Sequence, residues 1–226
     1  INWKDVPIKK IIEKEFGIRT FVDNDVKAMA LGEYRFGSGK ERQNLVCINI
    51  GEGLGSGIII NGKIYRGTHY IAGEIGHTIV DLNGIQCRCG NQGCLETFVS
   101  GRAMVLKAIM AIKQKRETLI TKLLNNEIDK ITPKVIFDAA VKGDKLAKDI
   151  ILEAGKYLGI AIANVINSLD PEVVILGGEI VQFNNFNLML EIARKVATKY
   201  TFGVKTRKTR ILTTQLKDDC SAIGAA

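Results

Sequence analysis

Apolar residues recur at helical spacing in several parts of this chain of 226 residues. Between Ile8 and Phe16 they alternate with lysine and glutamate, which predicts an amphipathic helix that ends at Gly17. Another helix is expected from Val26 to Phe36. Further helices are predicted through most of residues 97–124, from Pro133 to Gly143 with Thr132 as its cap, in a long segment after the cap residue Asp144, at residues 187–199 and from Ser221 onward.

Short runs of β-branched and aliphatic residues predict the strands. These runs lie at residues 19–22, 45–50, 58–60, 63–66, 171–178 and 210–214. Asn61 and Gly62 separate two of the runs and predict a tight antiparallel hairpin. The run from Val173 to Leu176 is apolar throughout, which is typical of a strand covered on both faces in a parallel sheet. Strands mixed with helices in this way predict an α/β protein.

Composition indicates a globular chain. Hydrophobic residues make up 46%, which is enough to bury a substantial core. No apolar run is long enough to span a membrane and no signal peptide is recognisable, so we expect a cytoplasmic protein without membrane contact. The 32 basic and 24 acidic residues give a net charge of +8. Basic residues are dense only at residues 205–210, which could form either a solvated face or a phosphate-binding patch.

A cluster of potential metal ligands lies in the middle of the chain. It consists of His77, Cys87, Cys89 and Cys94. One imidazole and three thiols suit tetrahedral Zn²⁺, and Gly90 and Gly93 allow the loop to turn so that the sulfurs converge. Four protein ligands leave no open position, so the site would be structural. Free thiols or a disulfide are the alternatives, but clustered cysteines without a secretory signature favour metal. Cys47 and Cys220 stand apart and are expected to be small buried hydrophobes.

The residues around this cluster resemble a known signature. Glu-x-Gly-His at residues 74–77, followed by Cys-x-Cys-Gly-x-x-Gly-Cys-x-Glu at residues 87–96, is similar to that of the ROK family of repressors, open reading frames and sugar kinases. The resemblance implies an actin-like ATPase, ribonuclease H-like fold and a zinc ion that braces a sugar pocket. It also implies one of two functions, an ATP-dependent sugar kinase or a transcriptional repressor with a sugar sensor. The chain is most like the sugar-responsive repressors of the xylose-operon type, without their DNA-binding domain.

The start of the chain predicts a fragment of a longer protein. It lacks an initiator Met and opens on the approach to a helix. Relatives in this family would begin earlier, with a glycine-rich phosphate turn in the kinases or an added winged helix in the repressors. We therefore expect a fragment without the first amino-terminal strands. Its two parts are a partial amino-terminal lobe at residues 1–96 and a carboxyl-terminal α/β lobe at residues 97–226.

Five residues are candidates for sugar binding. By resemblance to the family they are Asn24, Asp25, Glu74, His77 and Glu96, and His77 would use one ring nitrogen for zinc and the other for a hydroxyl. In the family's kinases the residue at the position of Asp25 is the catalytic base. Asn24 or Asp25 could instead only cap the following helix, and Glu74 and Glu96 could be surface carboxylates. A metal loop would hold these two acids rigidly, which favours the pocket.

A glycine-rich stretch distinguishes the two functions. Gly51, Glu52, Gly53 and Gly55 resemble the phosphate loop of the family's kinases, where a Gly-Thr-Gly sequence donates hydrogen bonds to ATP. An ionised Glu52 cannot donate, and it would repel a polyphosphate. A plain β-turn is the other interpretation of this stretch.

Glu52 favours a repressor domain that binds a monosaccharide, dimerises and reaches operator DNA through a winged helix. A sugar-kinase fragment that uses ATP and Mg²⁺ is the alternative, and a scaffold with only a structural zinc is a third.

Overall fold

A five-stranded mixed sheet lies at the centre of the computed structural model, which describes residues 4–203 and 208–226. Its strands are β1 (Leu45–Ile50), β2 (Leu54–Ile60), β3 (Lys63–Ile64), β4 (Val173–Gly177) and β5 (Arg210–Thr213). They lie in the order β3-β2-β1-β4-β5. The β1, β2 and β3 strands form an antiparallel meander, whereas β4 and β5 run parallel to β1. The carboxyl ends of β1 and β4 therefore meet at one edge of the sheet.

Helices cover both faces of this sheet. The described helices are α1 (Ile8–Phe16), α2 (Asp25–Phe36), α3 (Glu96–Val99), α4 (Gly101–Lys113), α5 (Leu119–Leu123), α6 (Pro133–Val141), α7 (Lys145–Leu169), α8 (Phe186–Tyr200) and α9 (Cys220–Ala225). Helix α1 has no buried residue and is not part of this covering. Single 3₁₀ turns lie at Ile75–His77, Ile128–Lys130, Glu179–Gln182 and Lys217–Asp219. The predicted caps are confirmed, since Thr132 and Asp144 accept from the first turns of α6 and α7. None of the described helices combines the length and the low polarity that crossing a bilayer requires.

Alternation along the strands divides the core into two parts. In β1, Val46 and Ile48 belong to a large apolar cluster with helices α3 to α8, while Leu45 and Cys47 point to a smaller cluster with α2 and α9. Cys220 joins the smaller cluster, so the prediction that the two isolated cysteines act as buried hydrophobes is confirmed. The result is three layers, with the sheet in the middle.

Close packing of α2 against α9 depends on glycine. A Cβ atom at Gly32 would lie 2.4 Å from the carbonyl oxygen of Cys220, and one at Gly224 would lie 1.7 Å from that of Ala28. Beside this crossing, the fully buried carboxylate of Glu33 accepts hydrogen bonds from Ser38 N, Thr214 Oγ1 and Leu216 N, at 2.7, 2.6 and 3.1 Å. Three donors compensate the burial of this charge. Helix α2 is thereby fixed to the carboxyl-terminal segment.

The prediction of a strand at residues 19–22 is wrong, because the structure has no strand there. The side chains of Phe21 and Val22 are 75% and 59% exposed, and the backbone N–H of Thr20 bonds to Glu13 Oε1 instead of to a neighbouring strand. A β-rich run becomes a strand only beside another backbone. No described strand lies next to this segment.

The glycine stretch is shorter than the sequence indicates. Strand β2 already begins at Leu54, so Gly55 is the second residue of a strand, and its part in a phosphate-like loop stays a prediction. The hairpin prediction is confirmed, since Asn61 and Gly62 both have positive φ, of 50° and 71°, between Ile60 and its partner Lys63. The third strand ends at Ile64, two residues earlier than expected.

Two other expectations remain predictions. The basic run at residues 205–210 lies partly outside the described residues, which stop at 203 and resume at 208. The predicted division into lobes at residues 1–96 and 97–226 also stays a prediction. One sheet contains strands from both parts, β1 to β3 from the first and β4 and β5 from the second.

Candidate functional site

The four predicted metal ligands lie together. The ligand atoms of His77, Cys87, Cys89 and Cys94 are all within 4.8 Å of one another. Cys89 Sγ is 3.6 Å from Cys94 Sγ, and Cys87 Sγ is 3.8 Å from His77 Nδ1. A tetrahedron with zinc–sulfur bonds of about 2.3 Å has edges of about 3.8 Å. The spacing of these atoms fits such a tetrahedron, so the cluster could hold a metal ion.

Backbone hydrogen bonds shape residues 77–94, which contain the four candidate ligands and are called the metal loop here. Cys87 N donates to Asn91 O at 2.7 Å, and Val80 N donates to Gly93 O at 2.9 Å. Its larger apolar side chains contribute little, since Ile79, Leu82 and Ile85 are 45%, 82% and 43% exposed. The loop is therefore held by polar contacts and by whatever its four ligand atoms bind.

The thiols differ in acidity. Burial, together with the neighbouring sulfurs of Cys89 and Cys87, raises the pKa of the Cys94 thiol to about 12. A hydrogen bond from the Asn91 backbone lowers the pKa of the Cys89 thiol. Several thiolates this close repel one another, and a divalent cation between them removes that repulsion. The chemistry of the donor set thus agrees with the distances.

Asn24 and Asp25 lie at the start of helix α2, where Asn24 is the N-cap and Asp25 is the first helical residue. Asn24 Oδ1 caps the helix by accepting from Val26 N and Lys27 N at 3.0 and 3.2 Å. Asp25 Oδ1 accepts from Val26 N at 2.9 Å, and Asp25 Oδ2 has no hydrogen-bond partner among the described residues. The capping role predicted for one of the two residues belongs to Asn24. The amide nitrogen of Asn24 and one oxygen of Asp25 remain for a ligand.

The segments that carry the candidate residues converge on the first residues of β2. From α2, the Cγ2 atom of Val26 would lie 3.2 Å from a Cβ atom at Gly55. From the other side, Gly73 O accepts from the Ser56 N–H and hydroxyl at 3.0 and 2.8 Å. Gly76 is so close that a Cβ atom there would meet Leu54 O at 2.1 Å.

Glu96 reaches the same strand directly. Its Oε2 accepts from Leu54 N at 3.1 Å. Because Leu95 N also bonds to Thr78 O at 2.9 Å, the metal loop, α3 and β2 form one connected unit. Within this unit, Glu74 immediately precedes the 3₁₀ turn Ile75–His77, and His77 is its last residue. One oxygen of Glu96 is thus committed to the backbone.

Glu52 lies at the tip of a turn that is closed by a hydrogen bond from Gly51 N to Gly53 O at 3.0 Å. Its side chain is 81% exposed, and its Oε1 lies 4.0 Å from Arg88 Nη1, in the metal loop. The carboxylate that would repel phosphate therefore has a cation nearby. Sequence reasoning missed Arg88, although its place between Cys87 and Cys89, two candidate metal ligands, is a signal that could have drawn attention to it.

Two polar contacts that the sequence did not reveal join α2 to the segment before Glu74. Arg66 donates to Asp23 Oδ2 through Nε and Nη2, at 3.0 and 2.6 Å. Lys27 Nζ donates to the carbonyl oxygen of Tyr70. Burial alone would raise the pKa of Asp23, but the backbone bond from Asn24 and the Arg66 guanidinium outweigh it and lower the pKa. No local pattern marks these pairs, because more than forty residues separate the partners.

Comparison with known proteins identifies the family. The model of the ROK family matches residues 1–226. The chain belongs to the ROK family. Among relatives, it is 36% identical over 224 residues to the xylose repressor of Caldicellulosiruptor bescii, covering 99% of this chain and 55% of that protein. It is also 36% identical over 230 residues to the glucokinase of Streptomyces coelicolor, covering 100% of this chain and 72% of the kinase. The chain spans about half the length of the repressors it matches.

Solved structures of ROK proteins confirm the actin-like ATPase fold. A ROK glucokinase from Streptomyces griseus in complex with glucose and AMPPNP superposes with a TM-score of 0.89 at 36% identity, over 100% of this chain and 73% of that one. A ROK transcriptional regulator, a homologue of the Escherichia coli MLC protein, superposes with a TM-score of 0.86 at 33% identity, over 99% of this chain and 55% of that one. Repressors and kinases of this family are thus similarly close to the chain.

Proposed function

We propose that this chain is the sugar-binding effector domain of a ROK-family transcriptional repressor. The observation that carries the sugar-binding part is the convergence of three segments on residues 54–56 of β2. One segment starts α2 with Asn24 and Asp25, the second contains Glu74 and His77, and the third contains Glu96. Each is tied to the strand by a hydrogen bond or a close packing contact. Rigidly held acceptors of this kind suit a polyol.

The chemistry of these side chains fits a monosaccharide. The free Asp25 oxygen and the carboxylates of Glu74 and Glu96 can accept from hydroxyl groups, and the Asn24 amide can donate to one. His77 offers Nδ1 to the metal and retains Nε2 for a hydroxyl. Charged acceptors make stronger hydrogen bonds than neutral ones, which compensates the loss of hydration of a sugar.

The metal in this proposal is Zn²⁺, bound by His77 and the three cysteines in a closed, structural site. It would fix the 3₁₀ turn with Glu74 on one side and the start of α3 with Glu96 on the other. The ion would supply no chemistry to the sugar. Its role would be to keep the two carboxylates in place.

Glu52 favours the repressor over the kinase. An ionised carboxylate at the tip of the turn has no hydrogen to donate to a phosphate. Its partner Arg88 is itself largely exposed and 4.0 Å away, so water screens much of the attraction between them. In the whole protein, we expect a winged helix to bind operator DNA and two copies to pair, so that two half-sites are contacted.

A sugar kinase is the alternative, and Asp25 is the observation that favours it. An acceptor oxygen without a protein partner is what a general base for a sugar hydroxyl requires. Arg88 also lessens the repulsion between Glu52 and a polyphosphate. ATP and Mg²⁺ would then be the cosubstrate and its metal.

Calorimetry of the full-length protein separates these functions. The repressor hypothesis predicts binding of D-xylose or D-glucose, no heat with ATP and Mg²⁺, and no sugar phosphate after incubation with all three. Tight ATP binding or formation of a sugar phosphate would leave the kinase as the function. Absence of binding to a panel of monosaccharides would remove both.

A further inference from the structure

Lys27 occupies a position that local energetics disfavour. It lies in the first turn of α2, where the helix dipole is positive and a cation is unfavourable. The residue is also only 4% exposed, although burying an ammonium group is costly unless it is well partnered. Helix stability therefore does not account for a lysine here. The contacts of its ammonium group provide a reason.

Those contacts join two distant parts of the chain. Lys27 Nζ donates to the carbonyl oxygen of Tyr70, and Asp23, at the start of the same helix, lowers the electrostatic cost of the buried charge. Tyr70 has a φ of 62°, a left-handed conformation that is unfavourable for a residue with a side chain. The bond from Lys27 adds to the backbone bonds within the segment, Tyr70 N to Gly67 O and Ala72 N to Arg66 O, that hold this conformation.

Residues 66–73 depend on such polar contacts. Tyr70 and Ile71 are 70% and 67% exposed, so apolar burial does not hold the segment. At its start, Arg66 donates to Asp23, and at its end, Gly73 O accepts from Ser56. Lys27 supplies the contact near the middle.

The segment leads directly into the proposed sugar site. Glu74 follows it without a break, and the 3₁₀ turn with His77 comes next. Helix α2, on the other side of the contact, begins with Asn24 and Asp25. Together with the Arg66–Asp23 pair, the Lys27 bond thus connects the two groups of proposed sugar-binding residues through a path other than the metal loop.

We propose that Lys27 is a positioning residue for the sugar site, which sets the location of Glu74 relative to Asp25 by holding residues 66–73 against α2. This inference rests on the proposed sugar binding. It names a determinant of affinity that touches no sugar. Loss of the ammonium group frees the segment and weakens sugar binding even though all five sugar-binding side chains remain.

Lys27→Met removes the donor and keeps most of the chain length. The control is Lys134→Met, since Lys134 pairs with Asp138 at 2.7 Å within α6 and its side chain is 67% exposed. We expect Lys27→Met to weaken binding of D-xylose or D-glucose at least tenfold and Lys134→Met to change it less than twofold, by calorimetry. Amide hydrogen exchange of residues 66–73 should accelerate at least tenfold only in Lys27→Met. Unchanged affinity or unchanged exchange in Lys27→Met overturns the proposal.

A second variant keeps the test independent of folding. Tyr70→Asn retains the carbonyl group and tolerates positive φ, so it should bind sugar within twofold of the wild type. A large loss there would assign the effect to the Tyr70 side chain and overturn the inference. The wild-type protein alone provides another check, since sugar should slow exchange in residues 66–73, and a sugar that binds without slowing it overturns the proposal. Wild-type protein that binds no sugar instead refutes the proposed function, whereas the exchange comparison still tests the Lys27 contact.

Discussion

Glu52 Oε1 lies 4.0 Å from Arg88 Nη1, so the glycine turn and the metal loop meet through a pair of opposite charges. The two side chains are 81% and 55% exposed, and an exposed pair at this distance contributes little to stability, about 0–1 kcal/mol. Its importance lies in the charge it presents to a ligand, because the turn carries an acid where a phosphate-binding loop carries a donor.

Replacing Glu52 by Thr should leave sugar binding within about twofold, since in the described part of the chain the Glu52 side chain pairs with Arg88 and with none of the candidate sugar-binding residues. If the repulsion excludes nucleotide, the same change should raise affinity for ATP and Mg²⁺ above that of the wild type. Calorimetry of full-length Glu52→Thr and Glu52→Gln provides the comparison, and the Gln variant separates charge from hydroxyl. Equal, tight ATP binding by all three proteins would contradict the role given to Glu52.

Asp25 should dominate sugar affinity. A hydrogen bond to a charged acceptor contributes about 1.5–3 kcal/mol, so Asp25→Asn should weaken binding roughly tenfold or more. The Asn variant preserves shape and the contact to Val26 N. Asp138→Asn is the control, since Asp138 pairs with Lys134 on the exposed side of α6. Titration with D-xylose and D-glucose measures the effect, and equal affinities for Asp25→Asn and wild type would exclude Asp25 from the site.

Metal removal should destabilise the protein. One Zn²⁺ per chain is expected, and chelation should lower the melting temperature because the loop has little apolar packing of its own. Cys87→Ser should lose the ion, whereas Cys220→Ala, in the core beside α2, should retain it. Elemental analysis and thermal unfolding provide the readouts. A protein purified without stoichiometric metal, and indifferent to chelator, would refute the zinc site.

Glu33 should be among the most sensitive positions for folding. Glu33→Ala leaves three partly buried donors without their acceptor and should lower the free energy of unfolding by about 3 kcal/mol. Glu33→Gln keeps one acceptor oxygen and should lose less. Glu127→Ala, on an exposed pair with Lys130, should change stability by less than about 0.5 kcal/mol. Urea denaturation curves measure all three, and a neutral Glu33→Ala would indicate that Ser38, Thr214 and Leu216 find other acceptors.

Most helices and strands could be predicted, because the order of apolar and polar residues within a short segment reflects which of its side chains are buried. The alternation in β1, the Asn61–Gly62 turn and the caps at Thr132 and Asp144 each depend on residues a few positions apart. The prediction of a strand at residues 19–22 was wrong because a strand needs a neighbouring strand to bond with, and the sequence of a segment does not show whether one is present. The sequence did not show that Gly55 belongs to β2 and packs closely against Val26 of α2.

The candidate site divides in the same way. The metal ligands could be predicted because three cysteines and a histidine concentrate in one short loop, and the structure brings their ligand atoms together. The sequence could not predict the contacts of Arg66, Lys27 and Glu33, since their partners lie far along the chain. Long-range polar pairs leave no periodic signal, and only three-dimensional packing reveals them.

Helix α2 is anchored at both ends, by the contacts of Asp23 and Lys27 at one and by Glu33 at the other. Its twelve residues span about 18 Å, and close backbone packing against α9 prevents it from bending in between. The proposed pocket and the carboxyl-terminal residues Thr214 and Leu216 therefore share one helix. A ligand that bound Asn24 and Asp25 would stabilise the same element that holds those two residues.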